Sequence, residues 1–565
     1  MKIIIAVLLS IMNTNYCLPK NQLIIPDTLS GSEIYLTIDN GKHQFKSGPI
    51  TNTMGVNGNI LGPTIFLNNG SEYKFNVKNN LSDTTTIHWH GLHVAPENDG
   101  GPHTFILPNT TWKPRFTVMD KASTYWYHPH LHSKTNEHVS KGIAGFIIVK
   151  DEEESKLNLP RTYGIDDIPV VIQTKDFDLT NQVVTNSNSD DVVMANATIN
   201  AFIDLPAQII RLRLLNGASQ RSFYLGLNNN QPIYQISSDG GLLEDVIKLN
   251  RLILSPGERA EILIDLIGLE GESIQLISFA SELPNGIYGA KYPGMAPPMS
   301  LNGYNPNPLN GYDFIVLEIN VKELNSNPIT SIPSQLVQYS SLNPSNSNTT
   351  RSITFSPASM GMNQLNGKFF INNSTFNMNT IDFNIPLNNI EIWELRNQTA
   401  IAHPFHIHDV QFNILTRGGA SPPANERGRK DVVLVRPQEV VRLIAKFEDF
   451  SNPYVPYMYH CHLLTHEDNG MMGQFIVSNT QSKVDVASIT GDDNFTYNYK
   501  NDALTLMFNN TPASILITDY LGRTFIERST IINNYFRFEG VRNGLYTLIF
   551  KFKDRTTTRK IYLSN

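Results

Sequence analysis

Short apolar or alternating runs of roughly four to eight residues, bounded by turn formers, recur along the whole chain. Thr64–Asn68, Tyr73–Val77, Gly145–Lys150, Val170–Gln173, Ile209–Leu215, Glu261–Leu266 and Asp431–Val435 are examples. Alternation places every second side chain on one face, which is the requirement of a half-buried strand. No long stretch repeats with the helical apolar period. The pattern predicts an all-β protein made of stacked β-sandwiches.

A length of 565 residues suggests about three or four domains. Lys2 followed by the apolar stretch Ile3 to Met12 has the form of an export signal and is too short to span a bilayer. We therefore expect a leader over residues 1–20, a first unit over 21–150, a second over 156–325, a third over 351–480 and a tail unit over 485–565. The acidic stretch Asp151–Ser155 and the Ser/Asn-rich segment Asn325–Thr350 are the expected linkers. No later segment is long and apolar enough to be a transmembrane helix, so no integral membrane segment is expected. A net charge of −7, from 44 basic and 51 acidic residues, argues against nucleic acid as a partner.

Two cysteines are present, and Cys17 belongs to the leader region. An exported chain left with Cys461 alone has no internal disulfide. A lone thiol outside the cytoplasm is an oxidation liability unless it is buried or metal-bound.

Candidate chemistry centres on four His-x-His pairs: His88/His90, His128/His130, His406/His408 and His460/His462. Chance placement of 15 histidines would give fewer than about one such pair. Residues two apart on a strand share a face, so each pair can offer two imidazoles to one metal cluster. Cys461, between the last two, then points the opposite way, toward a second metal. His403, Cys461, His466 and Met471 form the soft trigonal set with a weak axial thioether that selects copper. The other eight histidines can hold three more copper ions with open positions for oxygen, four coppers in all. A zinc site uses fewer and harder ligands. The first and third units carry two pairs each, a weak internal symmetry that places the cluster at their interface.

Four segments make the chain resemble the three-domain multicopper oxidases, near the bacterial copper-efflux oxidases and laccases. They are His-Trp-His-Gly-Leu (88–92), Tyr-Trp-Tyr-His-Pro-His-Leu-His (125–132), His-Pro-Phe-His-Ile-His (403–408) and His-Cys-His-Leu-Leu-Thr-His-Glu-Asp-Asn-Gly-Met-Met (460–472). Weaker similarity covers about residues 25–480, including Arg211–Gly217, Asp239–Gly241 and Pro256–Arg259. The resemblance implies three cupredoxin-like (plastocyanin-like) Greek-key β-sandwiches plus a small C-terminal β-sandwich. It implies type 1 copper at His403, Cys461, His466 and Met471, and type 2 copper at His88 and His406. The type 3 pair falls to His90, His128, His130, His408, His460 and His462. Asp99 and Glu467 match acids that relay protons, or that orient imidazoles from behind. His132 is expected behind the ligands or exposed, and His43, His93, His103 and His138 on the surface or in loops.

The implied reaction takes single electrons from a reducing substrate and passes them through Cys461 to reduce dioxygen to water. Copper-efflux oxidases carry a Met-rich insertion, whereas Tyr288–Asn307 here contains only Met295 and Met299, with Met360 and Met362 further on. Thr399 and Ile401 stand where those enzymes place Asp and Met. A phenol or aromatic amine is therefore the expected donor. The alternatives are cuprous-ion oxidation, non-catalytic copper binding, and a copper-free role in division. The tail, with Ile515–Gly522 and Gly544–Tyr546, resembles the sorting domain of type IX secretion cargo. That implies periplasmic transit and a secreted or cell-surface product; a small carbohydrate- or partner-binding sandwich is the other reading.

Overall fold

The computed structural model describes residues 19–479, apart from 298, 300, 306, 360–364, 366 and 379, and the strands of 495–563 with short interruptions between them. Residues 1–18 of the expected leader, Cys17, Met360 and Met362 lie outside the described residues.

The chain folds into four successive pairs of β-sheets. In the first pair, Glu33–His43 and Glu72–Asn79 alternate buried and exposed side chains, so one face of their sheet is apolar. That face closes on the sheet of Thr64–Asn68, Gly145–Lys150, Ser123–His128 and His88–His90. The third pair repeats this plan. Phe383–Pro386 runs parallel to Met472–Ser478, which is antiparallel to Asn452–Cys461, which is antiparallel to His403–Ile407. The first unit has the same sequence of pairings, parallel then twice antiparallel. The internal symmetry of the histidine pairs is thus also a symmetry of strand order.

The second pair of sheets differs in burial. Ile209–Asn216 is buried at every position because it is central in its sheet and covered on both faces. Two of its residues are arginines, and each is paired: Arg211 with Glu154 (2.8 Å) and Glu261, Arg213 with Asp167 (2.7 Å) and Glu261 (2.6 Å). Unpaired, such charges would be costly to bury. The fourth pair is a smaller sandwich of Ala503–Phe508, Ser514–Asp519, Gly544–Lys551, Thr556–Leu563 and their neighbours around its own apolar core.

Among the described residues α-helices are few and short: α1 (Thr135–Lys141), α2 (Glu152–Ser155) and α3 (Leu464–Asp468). None of the described residues forms a helix long and apolar enough to cross a membrane.

Three expectations change. The acidic linker Asp151–Ser155 is α2, capped by Asp151 accepting from the Glu154 amide at 2.8 Å and anchored by buried Glu154. Residues Asn21–Gln22, expected in the first unit, pair in parallel with Ala201–Phe202 of the second, and Leu23 joins that unit's core. The polar segment Asn325–Thr350 is not free of the units it joins: Leu336 is buried and its amide donates to the Glu244 carbonyl at 2.9 Å.

Candidate metal centres

Strand register assembles the histidines. His88 lies directly opposite His128 in the first unit, and His406 directly opposite His460 in the third. Directly opposed residues share a face. Only the first pair lies wholly within a strand. The other three straddle strand ends at His128, Ile407 and Cys461, where the chain can bend the second imidazole inward. All eight rings are buried and converge where the first and third units meet.

Hydrogen bonds reveal which nitrogens carry protons, since a carbonyl or carboxylate oxygen can only accept. His88 Nδ1 donates to the Asp99 carbonyl (2.9 Å) and His406 Nδ1 to the Asp431 carbonyl (2.8 Å). Their Nε2 atoms are left buried and unpartnered. His408 Nδ1 donates to Asp99 Oδ2 (2.8 Å), and His460 Nδ1 to the Cys461 carbonyl (3.1 Å). Glu467 faces His130 Nδ1 at 3.4 Å and His460 Nδ1 at 3.2 Å. The Nε2 atoms of His130, His408 and His460 then lie 3.1–3.3 Å apart. His90 reverses the tautomer. Its Nε2 donates to Asp431 Oδ1 (3.1 Å), so its Nδ1 lone pair faces His128 Nε2 at 3.2 Å. His128 Nδ1 is itself committed to the Pro129 carbonyl at 2.8 Å.

Facing lone pairs at these distances repel unless a cation lies among them. Burial pushes His90, His128, His130, His406 and His408 well below the usual imidazole range, and His462 down to about 3. Burial thus favours their neutral form, which is the form metals bind.

Cys461 points away from this cluster, as strand alternation requires. Its Sγ lies 3.5 Å from His403 Nδ1 and 3.7 Å from His466 Nδ1. Met471 is fully buried beside it, its carbonyl accepting from the Cys461 amide at 3.0 Å. Burial pushes the Cys461 thiol up and His466 down to about 3. A thiol so placed needs a bound cation to ionise. Thr399 Oγ1, which donates to Asn397 Oδ1 (2.8 Å) or the Ile401 carbonyl (2.9 Å), accepts the His403 Nε2 proton at 2.8 Å and turns Nδ1 inward. The two imidazoles and the thiol gathered here, with Met471 buried next to them, make a soft set that suits copper.

The two acids stand behind the ligands. Gly100, at φ +79°, lets the Asp99 loop press onto the Ile87 carbonyl, where a Cβ would sit 1.7 Å away. Helix α3 turns His466 toward Cys461 and Glu467 toward the histidine cluster. Asp468 accepts the Thr135 and Asn136 amides at the start of α1 (3.0 Å each), tying α3 to the first unit.

The remaining histidines are less exposed than expected. His138 is buried on α1, its Nδ1 3.1 Å from Thr85 Oγ1. His103 is buried, with Nε2 2.7 Å from Gln474 Oε1. His93 pairs with Asp409 (2.8 Å) and Asp449 (3.1 Å). Burial opposes its charge, yet Asp409, Asp120 and Asp449 outweigh that and lift it to about 10. Packing of the first unit on the third explains His93 and His103, whereas His138 is buried within the first unit itself; no sequence period announces either. Asp431 and Thr399 also escape sequence reasoning as supports of His90, His406 and His403, since they are distant in sequence or neutral.

Residues 37–154 and 335–481 match family models described as multicopper oxidase. The multicopper oxidase mco of Staphylococcus haemolyticus is 34% identical over 477 residues, covering 81% of this chain and 93% of that protein. The cell division protein FtsP of Xenorhabdus nematophila is 30% identical over 459 residues, covering 80% and 90%. Among solved structures, a laccase-like multicopper oxidase, CueO, from a lignin-degrading Ochrobactrum superposes with a TM-score of 0.70 at 31% identity, covering 80% of this chain and 100% of that one. The chain belongs to the multicopper oxidase family, copper-binding oxidoreductases built on cupredoxin-like sandwiches.

Proposed function

We propose that this protein is a four-copper oxidase that withdraws single electrons from a phenol or aromatic amine and delivers them to dioxygen, forming water. The observation that carries this reading is the placement of Cys461 between His460 and His462. One strand end supplies the thiol of one centre and two imidazoles of the other, and the Cys461 carbonyl accepts from His460 Nδ1. When bound, copper supplies one-electron redox chemistry at the thiol side and dioxygen reduction at the histidine side.

The residues do the rest. Cys461, with its backbone and its hydrogen bond to His460, is the conduit between the centres. His403, His466 and Met471 complete the type 1 set. His88 and His406 form the type 2 set, and His90, His128, His130, His408, His460 and His462 the type 3 set. Asp99 and Glu467 place carboxylates against ligand imidazoles, His408 for Asp99 and His130 and His460 for Glu467, where they can pass protons toward the reduced oxygen. Burial of all eight cluster rings restricts water and keeps partly reduced oxygen from escaping.

The laccase-like CueO is described as active on lignin model compounds and lignosulfonate, which favours an aromatic donor here. Thr399 and Ile401, both buried, leave no acid or thioether at the positions used for cuprous capture. A second reading, cuprous oxidation for copper tolerance, draws on Met295. That residue is nearly half exposed, and its amide donates to the Ala400 carbonyl three residues before His403 (2.8 Å). A division role, as the name of FtsP suggests, would not by itself call for the twelve candidate copper ligands that this chain carries. Oxygen uptake by the copper-loaded protein, with a phenol and then with cuprous ion, decides among these. We expect phenol to give the higher rate; a strong reverse ratio overturns the aromatic reading, and no uptake with either overturns the oxidase.

For the units themselves we propose the limits 21–150, 156–325, 351–480 and 485–565, with a leader over 1–20, residues 21–23 and the segment around Leu336 packing on the second unit. We further propose that the terminal sandwich is a type IX sorting domain, cleaved after export. Its separate core supports this, and mass spectrometry of the secreted form tests it.

A further inference from the structure

The second unit contributes none of the eight cluster histidines, yet one of its side chains grips the aspartate that holds two of them. Arg259 opens the strand Arg259–Asp265 and is fully buried. A guanidinium has five N–H donors in a fixed fork, and here each meets an acceptor. Nε donates to the Thr124 carbonyl (3.1 Å) of the first unit. Nη1 donates to the Gly257 carbonyl (3.0 Å) and Asp431 Oδ1 (2.6 Å). Nη2 donates to the Asp239 carbonyl (2.9 Å) and Asp431 Oδ2 (2.5 Å). One planar group therefore joins all three large units.

Asp431 passes this constraint on. Its Oδ1 accepts from His90 Nε2, and its carbonyl accepts from His406 Nδ1. The carboxylate thus decides which nitrogen His90 turns inward, and the carbonyl fixes the His406 ring. Gly91, at φ +90°, makes the space: a Cβ there would sit 2.4 Å from Asp431 Oδ2 and 2.7 Å from Arg259 Nη2.

We propose that Arg259 is a positioning residue for the histidine cluster, acting through Asp431 to set the tautomer of His90 and the placement of His406. Cluster assembly is thereby coupled to docking of the second unit against the other two. The proposal rests on the reading that the eight histidines hold copper. Arg259→Lys keeps charge but loses the fork, and Asp431→Asn keeps shape but loses the bidentate anion.

The test compares copper content, blue absorption, near-ultraviolet absorption and paramagnetic resonance of the copper-loaded full-length wild type and both variants. We expect each variant to keep the blue Cys461 absorption and to lose the cluster signals, with cluster copper affinity down roughly 10–100-fold. Cluster signals at wild-type occupancy in both variants overturn the proposal. Loss of the blue band along with them also overturns it, because none of His403, Cys461 or His466 touches Arg259 or Asp431. A wild type that itself holds no cluster copper refutes instead the underlying copper reading.

Discussion

Replacing Thr399 with Val removes one hydroxyl from behind His403 and changes little else in shape. That hydroxyl accepts the His403 Nε2 proton at 2.8 Å in a site only 2% exposed. Leaving the buried N–H unpaired costs about 1–3 kcal/mol of stability. Only the part that differs between oxidation states moves the potential. An imidazole whose N–H is accepted by a neighbour is a stronger donor, so it favours the more highly charged ion. If about a third of the cost is differential, roughly 0.3–1 kcal/mol, the conversion of 59 mV per tenfold for one electron gives a rise of about 15–45 mV. Thr399→Asp should move the potential the other way, since a carboxylate accepts the same proton more strongly. A redox titration followed on the blue absorption reads both shifts. An unchanged or lower potential in Thr399→Val would refute the argument that Thr399 tunes His403.

Two further predictions concern single side chains. Cys461→Ser should abolish the blue absorption and drop turnover to background, while circular dichroism stays native, because the side chain is small and its core is otherwise intact; a variant that remains blue would sink the ligand assignment. For His93, the folded value of about 10 lies above the unfolded value of about 6.5. Its contribution, on the order of 2–4 kcal/mol, is therefore complete below about pH 6.5 and lost as pH rises through about 10. Melting of the copper-free protein between pH 7 and 10.5 (about half a unit past that value) should show a smaller drop in His93→Gln than in wild type, and an equal drop would dismiss the ion-pair account.

Much of this protein is local in origin and so can be read along the chain. Thr64–Asn68 and Gly145–Lys150 coincide with observed strands because alternation and β-branched side chains act over a few residues. The same period of two predicts Cys461 on the face opposite His460, and its Sγ is indeed turned to His403 and His466; His462 lies beyond the strand end, where only the bend of the chain brings its ring back to the cluster. The supports of the two centres do not follow from spacing. Arg259 and Asp431 are 172 residues apart, and His90 and Asp431 are 341 apart. Asp431 reads as the start of a strand, and Arg259 as the end of a turn; neither has a period that names its partner. Burial decided their roles. Once three sandwiches close on one another, every buried charge and N–H must find an acceptor, and which acceptor is within reach depends on the docking of the units, not on any neighbour in sequence.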